Sequence, residues 1–185
     1  MTEIENDKTY GLFSTPTNKK IIAELEARNK KILKLPGVES QRIHPADATL
    51  EKILNFANFD WIVFSDVLTV DYFLEILEEN EIDLFELDEV RICAFGEAVS
   101  DRLRFVQIHT DVLPAKINNE EIIESIKNYV NNENGLNGQR ILILRQDNLR
   151  LSISQNLMLE NADILELPVY RLDTETPESL PKIQA

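Results

Sequence analysis

An α/β fold on a mostly parallel sheet is predicted by three observations in the sequence. Short β-branched or aliphatic runs alternate with longer amphipathic ones, which is the rhythm of βα units. Two of the short runs, Trp61–Phe64 and Arg140–Leu144, show no polar alternation, as strands buried on both faces require. The longer runs carry apolar stripes at helical spacing, clearest in Ile122, Ile123, Ile126 and Val130.

The elements follow in order. Tyr10–Ser14 reads as a strand, and Ser14-Thr15-Pro16-Thr17-Asn18 as a turn whose hydroxyls suit a helix N-cap. A helix is expected from Lys19 to Asn29, with Ile21, Ile22 and Leu25 on one face, and a strand at Lys31–Leu35 that stops at Pro36-Gly37. A new series begins near Gln41, with a short helix carrying Leu50, Ile53, Leu54 and Ala57, then the strand Trp61–Phe64. Val67 to Asn80 is helical through Val70, Phe73, Leu74 and Leu77, and the acidic stretch from Glu75 to Glu89 reads as a solvated face. There follow a strand at Val90–Phe95, a helix from Glu97 to Leu103, a strand near Phe105–His109 and a helix from Asn118 to Asn131. Asn131–Gly138 is a polar turn before the strand Arg140–Leu144, a helix from Leu149 to Glu160, and a last strand at Ile164–Tyr170. From Asp173 onward the composition is that of a linker.

Composition narrows the function. The 185 residues suit one large domain, since domains cluster at roughly 100–150 residues, and 43% hydrophobic content supports a real core. No apolar run approaches the roughly 18 residues a membrane span needs, and the acidic start MTEIENDKTY is unlike a secretory signal, so a cytoplasmic protein is expected. The single Cys93 and the separated His44 and His109 offer no Cys/His zinc set, so neither metal nor cofactor is expected. With 33 acidic against 19 basic residues and a formal charge of −14, nucleic-acid binding is disfavoured, and an anionic ligand must be held by local groups.

In parallel α/β sheets such groups sit beyond the carboxyl ends of the strands, beside free N–H groups at helix N-termini. The candidates there are Ser14 and Thr15, Ser65 and Asp66, Gly96-Glu97-Ala98-Val99, Arg145-Gln146-Asp147-Asn148, and Tyr170-Arg171. No phosphate-loop, dinucleotide or GxSxG signature is present, and 5 glycines cannot furnish a glycine cradle. Structural roles stand beside the functional ones. Gly96 suits a tight strand-to-helix turn, Ser65 and Asp66 suit a helix cap, and Arg145 and Arg150 suit solvated positions or pairs with Asp147. Tyr170 suits packing at a strand end, His44 and His109 suit the surface, and Cys93 suits the core.

The order of segments WIVFSDVLTVDYF, RICAFGEAVSDRL, INNEEIIESI, GQRILILRQDNLRLSISQNL and NADILELPVYRL resembles the uroporphyrinogen-III synthase family, and GLFSTPTNKKIIAELEARNKKILKLPGV resembles its opening βαβ piece. The resemblance spans residues 10–172. It implies flavodoxin-like domains, with helices on both faces of a parallel sheet. Residues 1–39 would open an incomplete first domain, 40–172 would form a complete second one, and 173–185 would be a linker toward the family's return into the first. That return would lie beyond Ala185, so the chain alone is expected to be inactive and to self-associate through its incomplete domain.

The implied reaction is cyclisation of the tetrapyrrole precursor hydroxymethylbilane, with inversion of the last ring and loss of water, without cofactor. Tyr170 falls at the family's tyrosine position, as hydrogen-bond donor or general acid toward the leaving hydroxyl. Backbone N–H groups at Gly96–Val99 and Gln146–Asn148 would hold substrate carboxylates. Five positions, in three segments, depart from the family pattern. Val99 stands for a threonine, Asp66 for a serine, and Gln146, Asp147 and Asn148 for glycines beside Arg145 and Arg150. The competing reading is a diverged, non-catalytic flavodoxin-like binding or regulatory module.

Overall fold

The computed structural model describes residues 8–13, 18–35, 38–131, 134–147 and 152–174. The chain divides into two compact units, Met1–Gln41 with Leu172–Ala185, and Arg42–Arg171. Strands β3 (Val38–Arg42) and β7 (Asp163–Thr174) carry the backbone across that division.

The first unit contains β1 (Thr9–Phe13), α1 (Lys19–Ala27) and β2 (Lys31–Leu35). β1 and β2 pair in parallel, from Thr9 opposite Lys31 to Phe13 opposite Leu35. α1 ends where Asn29 turns left-handed at φ 52° and Lys30 N–H reaches back to the Leu25 carbonyl at 3.0 Å. Its buried residue is Ile22, the centre of the predicted stripe.

In the second unit α2 (Asp47–Ile53) and a 3₁₀ turn at Phe56–Asn58 lead into β4 (Trp61–Phe64), then α3 (Val67–Glu79). A 3₁₀ segment at Leu84–Glu89 leads into β5 (Arg91–Ala94) and α4 (Glu97–Phe105), followed by α5 (Asn119–Val130), β6 (Arg140–Gln146) and α6 (Ser152–Leu159). The five-stranded sheet runs β3-β7-β6-β4-β5. β5 and β6 each pair in parallel with β4, and β7 in parallel with β6. Numbered from β4, the four parallel strands follow the 2-1-3-4 order of flavodoxin-like sheets, with β3 in the fifth place.

The fully apolar strands feed two cores, one on each face. Ile62, Phe64, Ile92, Ala94, Leu142 and Leu144 pack with Val70, Phe73 and Leu77 of α3 and Leu103 of α4. Their alternates Trp61, Val63, Cys93, Ile141 and Ile143 pack with Ile122 and Ile126 of α5 and with Ile153 and Leu157 of α6. Period-two alternation of the strand backbone explains the division, because successive side chains point to opposite faces.

The strand expected near Phe105–His109 does not form. Phe105 closes α4 with 81% of its surface exposed, and Gln107 takes the left-handed conformation at φ 66°. The chain instead turns back, with Ile108 N–H on the Leu103 carbonyl at 3.0 Å, and meets the sheet only at a bridge between Val112 and Cys93. A left-handed residue at a helix end terminates the helix and prevents the extended backbone a strand needs. β3 went unpredicted because VESQR is polar, as an edge strand tolerates. β7 continues through Thr174, into the stretch read as a linker, of which 175–185 lie outside the described residues.

Candidate functional site

The flavodoxin-like order reverses direction between β4 and β6, and in such sheets the crevice for ligands lies outside the carboxyl ends at that point. β4 delivers Ser65 and Asp66 there, β6 delivers Arg145 and Gln146, and β7 delivers Tyr170.

Asp66 is the N-cap of α3, with extended backbone at φ −162° and ψ 173°. Its Oδ1 accepts the Thr69 N–H at 2.9 Å, and the Asp66 N–H donates to Thr69 Oγ1 at 3.3 Å, a reciprocal capping box. The Ser65 hydroxyl donates to Asp66 Oδ2 at 2.8 Å. The Asp66 carboxylate is thus engaged by the helix it caps, in the structural role its sequence position suits.

Tyr170 is 4% exposed, and its ring stacks on Tyr72 of α3 at a centroid distance of 5.6 Å and an interplanar angle of 22°. A register shift in the β6–β7 pairing sets Gln146 opposite Tyr170, and the Tyr170 carbonyl accepts the Asp147 N–H at 2.6 Å. The phenol is raised above the ordinary tyrosine value, first by burial, then by the Asp66 charge and a hydrogen bond to Asp66, and further by Tyr72. The hydroxyl therefore stays protonated at physiological pH. Tyr72 and Thr69 are members of this cluster that sequence reading did not single out. Thr69 was detectable as the N3 partner of a D-x-x-T cap, whereas Tyr72 looked like another residue of an amphipathic helix.

The α4 mouth is built differently. Gly96 sits at φ 98° and ψ 164°, a region essentially restricted to glycine, and a Cβ there would approach Ile117 Cδ1 to 3.0 Å. Its lack of a side chain leaves the first turn of α4 without a side-chain cap. Glu97 and Ala98 are exposed, while Val99 is buried in the core and donates its N–H to the Gly96 carbonyl at 3.2 Å. Arg145 pairs with Glu166 through Nε at 2.6 Å and donates Nη1 to the Gln146 carbonyl at 2.8 Å, so its ion-pair partner is Glu166 instead of Asp147. The structure therefore joins Ser65 to Asp66 at the cap of α3 and stacks Tyr170 on Tyr72 of the same helix, whereas Gly96–Val99 and Arg145 stand at the neighbouring loops. Ser14, Thr15 and Asn148, with Arg150, lie outside the described residues.

A cavity of about 500 Å³ opens at the opposite, amino end of β5, among Leu87, Arg91, His109, Asp111 and Tyr129. Within it Tyr129 Oη donates to Asp111 Oδ1 at 2.7 Å, and Asp111 Oδ2 accepts the Ile92 N–H at 2.8 Å. Among the described residues no group of carboxylate, imidazole and thiol side chains could hold a metal ion, and no helix is long and apolar enough to cross a membrane.

The sequence model of the family described as uroporphyrinogen-III synthase HemD matches residues 19–184. The chain belongs to the uroporphyrinogen-III synthase family. Its fold is similar to that of uroporphyrinogen III synthase from Thermus thermophilus, with TM-score 0.62 and 15% identity over 90% of this chain and 63% of that one. A mutant form of that protein gives 0.66 and 13% over the same shares. Uroporphyrinogen-III synthetase from Helicobacter pylori gives 0.53 and 16%, over 91% of this chain and 63% of that one. At these identities the likeness shows the fold, and the chain spans 63% of the length of each of these family structures.

Proposed function

We propose that this chain carries the catalytic tyrosine region of a uroporphyrinogen-III synthase, the lyase that closes hydroxymethylbilane into uroporphyrinogen III with inversion of the last ring. The hydroxymethyl C–O bond breaks, its electron pair leaves with oxygen, and that oxygen takes up a proton and departs as water. The substrate's own pyrroles stabilise the cation left behind. The α-carbon of the last ring that already holds the neighbouring bridge attacks this cation, and its older C–C bond to the bridge then breaks to leave a pyrrole-stabilised cation on the bridge. The ring's free α-carbon attacks that cation and loses its proton, so that two C–C bonds form, one breaks and the ring is inverted. The protein's task is to hold a flexible polycarboxylate in the one geometry from which this attack follows, an effect that removes several kcal/mol of barrier.

Tyr170 is the donor to the departing hydroxyl in this reading. What carries the proposal is its place: a protonated phenol at the carboxyl end of the sheet, beside the point where the strand order reverses. The uncapped first turn of α4 supports a role for its N–H groups in taking a substrate carboxylate, which suits an anionic ligand in an acidic protein. Val99 cannot take the part of the family's threonine side chain, because it has no hydroxyl and is buried. In the same reading residues 40–172 are a complete second domain and residues 1–39 the opening of the first, and the reaction takes place in the cytoplasm. The exposed Tyr10, Phe13 and Ile21 support self-association through the first unit.

The test is incubation of the full-length protein carrying these residues with hydroxymethylbilane, followed by separation of the isomers. The type III isomer is expected, and Tyr170→Phe should lower kcat by about 100-fold or more. Formation of only the spontaneous type I isomer would rule the reading out.

A further inference from the structure

We infer that Tyr72 is a positioning residue for Tyr170: its ring, carried on a turn of α3 fastened on both sides, sets the plane in which the Tyr170 hydroxyl offers its proton. The inference rests on the synthase reading for its catalytic consequence, and the ring contact itself is tested apart from that reading.

Three consecutive residues of α3 meet three different partners. Phe73 is fully buried and packs edge-on against Phe64 of β4, at a centroid distance of 5.7 Å and 70°, and against Phe56 at 6.2 Å and 72°. Asp71 Oδ1 accepts Arg102 Nε of α4 at 2.6 Å, which ties α3 to the neighbouring helix. Between them the half-buried Tyr72 lays its ring on that of Tyr170, at 5.6 Å and 22°. This turn cannot roll without breaking either the aromatic packing below it or the ion pair beside it, so the Tyr72 ring is a fixed wall.

Tyr170 is also held by its own strand. The Val169 carbonyl accepts the Ile43 N–H at 2.9 Å, and the Tyr170 carbonyl accepts the Asp147 N–H at 2.6 Å. What the backbone leaves open is the plane of the ring. In a tyrosine χ1 places the phenol oxygen, whereas χ2 turns the ring about the axis that carries that oxygen and has only a broad preference. The O–H bond lies in the ring plane by conjugation, so whatever packs on the ring face decides the plane in which the proton is presented. Stacked aromatic pairs have a directional preference beyond their buried area, and the face of Tyr72 therefore selects one plane among those χ2 permits. An aliphatic side chain would fill the same space without imposing a plane. The departing hydroxyl must meet the proton in one direction, so loss of the stack acts on kcat and leaves the hold on the substrate carboxylates, and with it KM, little changed.

With the chain's four tyrosines ring-labelled, nuclear Overhauser contacts between the Tyr72 and Tyr170 rings are expected in the wild type. Their absence from the folded protein would overturn the inference, whatever its activity. In the full-length protein, Tyr72→Leu and Tyr72→Met are each expected to lower kcat by about 10-fold or more, with KM within about 2-fold of wild type. Tyr72→Phe, which keeps the aromatic face, should recover most of that loss. Tyr72→Leu should have no further effect on kcat in a Tyr170→Phe background. A Phe variant as slow as the Leu variant would overturn the inference, because the Tyr72 hydroxyl would then be the acting group. Multiplicative effects of Tyr72→Leu and Tyr170→Phe, or a loss of thermal stability with kcat unchanged, would overturn it as well, since Tyr72 would then act without Tyr170. Failure to form the type III isomer at all would remove the synthase reading and leave the Overhauser contacts to decide the ring pair.

Discussion

Two aspartates bracket the buried strand β4, and their partners differ in kind. At the amino end, Asp60 faces a cation: its carboxylate accepts the Arg140 backbone N–H at 2.8 Å, Nε at 3.2 Å and Nη2 at 3.0 Å. The Arg140 side chain, chiefly through its hydrogen bonds, holds the Asp60 carboxyl below its ordinary range. At the carboxyl end, the hydrogen-bond donors to the Asp66 carboxylate are neutral: the Ser65 hydroxyl and the Thr69 backbone N–H. The first arrangement discharges its carboxylate against arginine and joins the starts of β4 and β6. The second commits its carboxylate to the cap of α3, the helix whose Tyr72 ring Tyr170 stacks on. A strand whose own four residues are all buried is thus held by an arginine at one end and by neutral donors at the other.

The strongest way to break the contrast is at the anchored end. Asp60→Ala leaves three Arg140 donors without their acceptor and should cost about 1.5 kcal/mol in urea unfolding, the low end for bonds to charged groups because both side chains are partly solvated. Turnover should persist in that variant, since Asp60 is remote from the crevice. Asp66→Ala should cost about 1 kcal/mol, the ordinary loss of an N-cap, and in addition should alter the Tyr170 titration. Acid provides a finer probe. The Asp60 carboxyl is depressed in the folded state, so the stability it supplies is fully present above the unfolded value of about 3.9 and is lost as pH falls through the folded one. The difference in urea midpoint between wild type and Asp60→Asn should therefore be largest near neutrality and shrink below about pH 3.9. Smallest of all, Asp66→Asn should shift stability by only a few tenths of a kcal/mol. A loss near that of Asp66→Ala would mean that the charge at the carboxyl end is structural after all.

Much of this architecture was legible in the sequence because buried parallel strands announce themselves. Trp61–Phe64 and the core of Arg140–Gln146 are apolar on both faces, and α5 carries its caps in plain sight, Asn118 accepting the Glu121 N–H and Asn131 closing the helix at φ 44°. What stayed hidden depended on tertiary context. β3 is polar because it lies at the sheet edge, and Phe105 looks like strand material only until the left-handed turn at Gln107 is known. Segment order pointed to Ser65, Asp66 and Tyr170 one at a time. The stacking of Tyr170 on Tyr72 of α3, and the diversion of Arg145 to Glu166, required the β4, β6 and β7 ends to be brought side by side.

Cys93 gives the fold a built-in clock. It is the chain's single cysteine, lies fully buried in β5, and burial pushes its thiol up to about 12. A reagent that consumes thiolate must wait for β5 to leave the sheet before it can react. The rate at which one equivalent of a disulfide reagent is taken up therefore measures how often this edge strand opens, with no label added and no other sulfhydryl to confuse the signal.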